Sequence, residues 1–221
     1  LTNGLVTVEV DQSNGTFSVN GLGGFGVLAD EGDAGDTYNW CPTPDGATLT
    51  RPDAVDVVVA EAGPVRGRIE ITRRFTWPTH VAYGNRAGRT TVDIQTIIEV
   101  RAGEDLVRIR VELDNRCRDH RLRIHFPLPQ PATGSRAGCA FTTVSRGLTA
   151  EGGPNEAGLP TFPSRGFVEA GGLVVAHDGL PEYEVLDQSY LAVTLPRSVG
   201  GISQDSMATR ALPAGPPHPP P

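Results

Sequence analysis

The chain has 221 residues, a formal net charge of −7, 38% hydrophobic residues and 20% charged ones. That length allows a sizeable core, and the acidic balance argues against nucleic acid or an anionic membrane surface as a partner. No run reaches the roughly 18 apolar residues a membrane helix needs, and no secretory leader opens the chain.

Alternation of period two dominates. "GLVTVEVD" (residues 4–11) and "GTFSVNG" (residues 15–21) flank an Asn14-Gly15 turn, which predicts a hairpin over residues 5–21. "GLGGFG" (residues 21–26) imitates a dinucleotide loop but opens no helix whose amides could line up on a phosphate, so it reads as a turn. Residues 55–60 and 65–76 read as strands broken at Gly63-Pro64. The clearest pair follows: Val92, Ile94 and Thr96 alternate, as do Leu106, Ile109, Val111 and Leu113, across a turn at residues 102–105. "RLRIHFPL" (residues 121–128) alternates charge with Leu122, Ile124 and Phe126. Gly and Pro fill residues 151–166, and "GFVEAGGLVVAHDGLPEYEVL" and "SYLAVTLPRSVGG" supply the last strands. "ISQDSMATRAL" (residues 202–212) is the best candidate for a short helix.

Many short strands, frequent turn signals and no long amphipathic helix predict an all-β fold, a large antiparallel β-sandwich over residues 1–212. Residues 213–221 are a Pro-rich tail, read as linker or disordered end. The chain starts at Leu1 without Met and stops in "PAGPPHPPP", so both ends look cut from something longer. Cys41, Cys117 and Cys139 are odd in number and lack metal-site spacing, which fits free thiols in a cytoplasmic protein.

Signals for chemistry are sparse. No nucleophile elbow, zinc-protease motif or phosphate loop occurs. His120 and His125 are five apart on a strand and project from opposite faces, so without a bulge they cannot chelate one metal. One is expected at the surface and the other hydrogen-bonded near the core. Arg121 and Arg123 share a face, either solvated or clamping carboxylates from a neighbouring loop. The stretch "DEGDAGDTYNWCP" (residues 30–42) sets Asp30, Glu31, Asp33 and Asp36 beside Tyr38 and Trp40 with no periodicity. These acids repel unless water, a cation or a polar ligand separates them. The stretch reads as a plain turn, as a Ca²⁺ loop without EF-hand order, or as a lip that hydrogen-bonds and stacks on a sugar.

Several stretches together resemble the C-terminal region of family 38 glycoside hydrolases, the α-mannosidases, especially bacterial ones. "NGLVTVEVDQSNGTFSV" resembles the opening segment and "DEGDAGDTYNWCPT" the acidic loop. "LDNRCRDHRLRIHFP" is similar to the family's Asp-His-Arg-Leu-Arg strand, and "LVVAHDGLPEYEVL", "LAVTLPRSVGGIS" and "ATRALPAGPPHPPP" to later segments in the same order. The resemblance implies a galactose-mutarotase-like β-sandwich that packs on an N-terminal catalytic barrel. In that family an Asp nucleophile and a second carboxyl as acid/base carry out retaining chemistry, and the nucleophile and the zinc ligands belong to the barrel, so no catalytic residue and no metal ligand is expected here. It further implies that Tyr38 bonds a sugar hydroxyl, that Arg197 holds a carboxylate of the barrel or contacts a mannoside, and that Asp33 and Asp36 shape the loop or reach the sugar. The family's region continues beyond the Pro-rich passage, so an unpaired sheet edge or barrel-facing surface invites homo-oligomers. Two other readings share the scaffold: a stand-alone carbohydrate-binding module, and an epimerase taking His120, His125 or His177 as acid, for which no Glu partner is placed by spacing.

Overall fold

A computed structural model describes residues 1–150 and 152–212 of the chain. The expected Pro-rich tail, residues 213–221, lies outside the described residues. Those that are described contain strands, turns and bridges and no helix, and the sheets are mostly antiparallel. The all-β antiparallel expectation is met. Two compact units emerge: residues 1–27, 50–78 and 89–116 form the first, and residues 28–49, 79–88 and 117–221 the second.

In the first unit, the predicted hairpin is present, with Val8–Val10 pairing Phe17–Val19 across a turn in which Gly15 takes φ +73°. A four-stranded sheet runs Arg108–Leu113, Thr90–Arg101, Arg66–Trp77, Ala54–Ala62. Its two central strands are long, and their alternation decides which face is buried. Ile69, Ile71, Phe75 and Trp77 of one, and Val92, Ile94, Ile98 and Val100 of the other, are buried on the inner face. Arg73 shares that face at 1% exposure without a carboxylate, and burial lowers its pKa to about 10. Its guanidinium donates instead to the Gly26 carbonyl (2.6 Å) and Thr96 Oγ1 (2.9 Å).

The "GLGGFG" stretch corrects the expectation of a turn. Leu22–Phe25 is a strand paired with Phe17–Val19, kinked by Gly21, Gly24 and Gly26 at φ +83°, +90° and +79°. A Cβ on Gly26 would lie 2.6 Å from the Phe17 ring, so its absence lets Phe17 stack on Phe25 at 5.7 Å.

The second unit is built on a six-stranded sheet: Thr161–Pro163, Glu182–Leu186, Tyr190–Ser198, His120–Pro127, Val27–Gly32, Thr48–Leu49. A four-stranded sheet, Thr142–Arg146, Ser135–Cys139, Phe167–Ala170, Leu173–Ala176, and a small hairpin of His80–Ala82 with Asn85–Ala87 complete it. Ser135 Oγ meets the fully buried Tyr183 hydroxyl at 2.8 Å, which joins the two larger sheets. The segment expected as a short helix, residues 202–212, is irregular, with a bridge between Met207 and Arg210. Arg210 pairs with Asp36 of the same unit, as described below. Cys41 and Cys117 are buried and Cys139 is half-buried, and no disulfide joins any of the three.

Candidate functional site

The acidic stretch begins as a strand, which its lack of alternation concealed. Asp30 and Glu31 belong to Val27–Gly32, and residues 28–33 are all buried. Neighbouring His120–Pro127 explains how a sheet interior tolerates them. His120 Nδ1 lies 2.6 Å from Asp30 Oδ1, and Arg86 reaches from the small hairpin to the other oxygen of the same carboxylate. Glu31 is gripped by Arg121 Nη2 at 3.0 Å and Arg123 Nη2 at 2.8 Å, and Arg123 also binds Glu184. Of the two readings of Arg121 and Arg123, the clamp is the one found. Both are buried because the strand is covered on both faces, and the same cover keeps His120 and His125 off the surface. Neither histidine takes the exposed position expected of one of them.

The following loop uses the same device. Asp33 Oδ1 accepts from the Gly35 (2.9 Å) and Cys41 (3.2 Å) amides, and its Oδ2 accepts from Arg197 Nε at 2.6 Å. Arg197 stands opposite Arg121 in the ladder, and its Nη2 also donates to the carbonyls of Asp36 and Asn39. Asp36 Oδ1 accepts from the Tyr38 (3.0 Å) and Asn39 (3.1 Å) amides, and Oδ2 from Gln204 N (2.9 Å) and Arg210. Mutual repulsion among four acids is therefore relieved by arginines and a histidine of the chain itself.

The two aspartates differ in consequence. Burial drives the Asp33 carboxyl above the usual range against the pull of Arg197. Burial also raises Asp36, but the bonds from Arg210 and from the amides of Gln204, Asn39 and Tyr38 outweigh it and hold the group low. Each side chain saturates both carboxylate oxygens on protein donors.

Of the four side chains expected at a sugar, Tyr38 alone points outward, with 58% of its surface exposed. Asp33 and Asp36 are 1% and 0% exposed, and Arg197's side chain is 13% exposed. The carboxylate Arg197 holds is Asp33, within this chain. Trp40 does not stack outward: Arg121 covers its ring at 3.7 Å, and its Nε1 donates to the Gly32 carbonyl. Sequence reasoning missed Arg210, whose context looked helical, and the partners Arg86 and Glu184, which lie far from the loop along the chain. Among the described residues no three His, Cys, Asp or Glu side chains are grouped to hold a metal ion.

Beside the loop lies an open groove of about 660 Å³, lined by Asp33, Ala34, Gly35, Val81, Tyr83, Gly84, Arg118, Asp119 and residues 200–204 except 202. All of these belong to the second unit. Tyr83, at the tip of the small hairpin, is fully exposed.

No protein-family model matches the chain. It is 26% identical over 222 residues to a protein of Halalkalibacterium halodurans named "Putative mannosylglycerate hydrolase", covering 85% of this chain and 24% of that one. Its structure is similar to that of an α-mannosidase from Enterococcus faecalis V583, with a TM-score of 0.81 at 18% identity over 96% of this chain and 27% of the other. A glycosyl hydrolase family 38 protein from Enterococcus faecalis matches with a TM-score of 0.79 at 18% identity, over 96% of this chain and 28% of its own. The chain thus has the fold of a segment of these enzymes and spans about a quarter of their length.

Proposed function

We propose that the chain is the non-catalytic β-sandwich portion of a retaining exo-α-mannosidase of glycoside hydrolase family 38. The observation that carries this reading is the match of nearly the whole chain to about a quarter of an α-mannosidase. The name of the curated relative supports the same substrate class, since mannosylglycerate is a mannoside. In this reading, two carboxyl groups do the bond cleavage, one as nucleophile and one as acid/base. They and the zinc ion lie outside this chain. The pairing of every acid in residues 30–36 with arginine or histidine supports that division, because no carboxylate there is free to attack or to ligate.

The chain's own contribution is a rigid rim. Asp33, Asp36, Arg197 and Arg210 hold the backbone on either side of Tyr38, and the phenol stands ready to bond a sugar hydroxyl. The test is kinetic, in the longer protein that carries this segment. Tyr38→Phe should lower kcat/KM for an aryl α-mannoside by roughly tenfold, the value of one hydrogen bond to a polar ligand group, with the thermal midpoint unchanged. Unchanged kinetics would remove Tyr38 from the site. Mannose affinity in the isolated chain, lost in Tyr38→Ala, would favour a stand-alone binding module instead.

A further inference from the structure

The groove beside the acidic loop has features that loop maintenance does not explain. Tyr83 and Gly84 form the two-residue turn between His80–Ala82 and Asn85–Ala87, both with positive φ, +51° and +78°. Such a turn favours Asn-Gly or Asp-Gly, and a tyrosine in the left-handed region is strained. The strain is matched by no packing, since Tyr83 is fully exposed. A backbone outlier that holds an aromatic ring out in solvent at a groove is a pointer to ligand contact.

Asp119 is the second outlier, at φ +57°. Its Oδ2 accepts from the Val81 amide at 3.1 Å and its carbonyl accepts from the Asp33 amide at 2.9 Å, so one residue ties the hairpin to the loop. Arg118 Nε lies 3.7 Å from the same Oδ2, with its side chain 70% exposed. The lining holds two acids, Asp33 and Asp119, and one base, Arg118; Asp33 is also paired with Arg197, so the groove offers no surplus of positive charge.

We propose that this groove binds a neutral pyranoside. The Tyr83 ring supplies an apolar platform for the C–H face of the sugar, and the Arg118–Asp119 pair supplies adjacent donors and acceptors for vicinal hydroxyls. A lining with no surplus of positive charge favours an uncharged sugar over an anionic one. Only the choice of mannosides as probes rests on the proposed function; the geometry of the groove stands without it.

The test is titration of this chain with methyl α-mannoside, α-mannobiose and mannosylglycerate, followed by ¹H–¹⁵N NMR. The expected result is a fast-exchange shift of the Gly84, Arg118 and Gly200 amides with the two neutral sugars, and weaker binding of mannosylglycerate. Tyr83→Asn should weaken binding at least roughly tenfold and raise the thermal midpoint, because Asn tolerates the left-handed region. A tyrosine with a merely structural role would give no such opposition. Phe141→Ala, which removes another exposed left-handed aromatic of the same unit, should leave affinity unchanged. Absence of shifts at saturating sugar, or full affinity in Tyr83→Asn, overturns the proposal. Sugar binding here in a protein whose longer form hydrolyses no α-mannoside would overturn the proposed function alone.

Discussion

Arg197 joins two strands of the fold to the loop that presents Tyr38, and its replacement by Met has a calculable cost. The substitution keeps the apolar stem and deletes the donors that Asp33 and the carbonyls of Asp36 and Asn39 share. Asp33 retains only the Gly35 and Cys41 amides, and its carboxylate stays buried. Removing one partner of a buried ion pair costs about 3–5 kcal/mol, so about 4 kcal/mol is expected. For a protein of this size that is a fall of about 8–16 °C in thermal midpoint. The sign of the pH dependence follows from Asp33, whose carboxyl is already raised by burial and rises further without Arg197. A raised carboxyl stabilises the folded state when protonated and is lost as pH rises through the folded value. The deficit of Arg197→Met should therefore be larger at pH 7.5 than at pH 4.5. Thermal unfolding by circular dichroism at both values, with Asp33→Asn/Arg197→Met as partner, reads the effect. The double variant should recover at least about 2 kcal/mol. A fall of less than about 2 °C, with no pH dependence, would refute the account of the clamp.

Two further outcomes follow from neighbouring residues. Burial, with Arg123 close by, lowers the pKa of His125 to about 4, and its Nε2 has no hydrogen-bond partner. The unfolded chain takes up that proton first, near the ordinary value of about 6.5, so stability is full above it and is lost as pH falls toward the folded value. Urea unfolding at pH 7 and pH 4.5 should show a loss of about 2–3 kcal/mol, reduced in His125→Gln; equal slopes in both proteins would exclude His125 as the source. Gly35→Ala would place a Cβ 2.1 Å from the Asn39 carbonyl and 2.9 Å from the Cys41 amide, both backbone atoms that cannot yield. It should cost at least about 2 kcal/mol, while Gly23→Ala, with nothing within 4 Å, should stay within about 0.5 kcal/mol. Similar midpoints for the two alanine variants would contradict the geometry given for the loop.

The strands were legible where one face is buried and one is not. Residues 90–113 show this best, because Val92, Ile94 and Ile98 must alternate with solvated neighbours. Legibility failed where that contrast disappears. Val27–Gly32 is buried on both faces, and its acids made it look like a loop. In Leu22–Phe25, two glycines erase the side-chain period altogether. The resemblance to α-mannosidases singled out Tyr38 and Arg197, and the structure brings Arg197 onto Asp33 across 164 residues of sequence. No local signal pairs Asp36 with Arg210 or Asp30 with Arg86, since each contact depends on which strands become neighbours. Tyr83 is different: a tyrosine carries no preference for the left-handed backbone it adopts.

The central claim is a division of labour, with this chain as scaffold and rim and the bond-breaking groups on another segment. Its most direct test compares hydrolysis of an aryl α-mannoside, with zinc supplied, by the longer protein and by the 221-residue chain alone. The expected result is turnover by the longer protein and none by the chain, which should remain folded with a β-type circular dichroism spectrum. Turnover by the chain alone, or none by the longer protein, would contradict the claim.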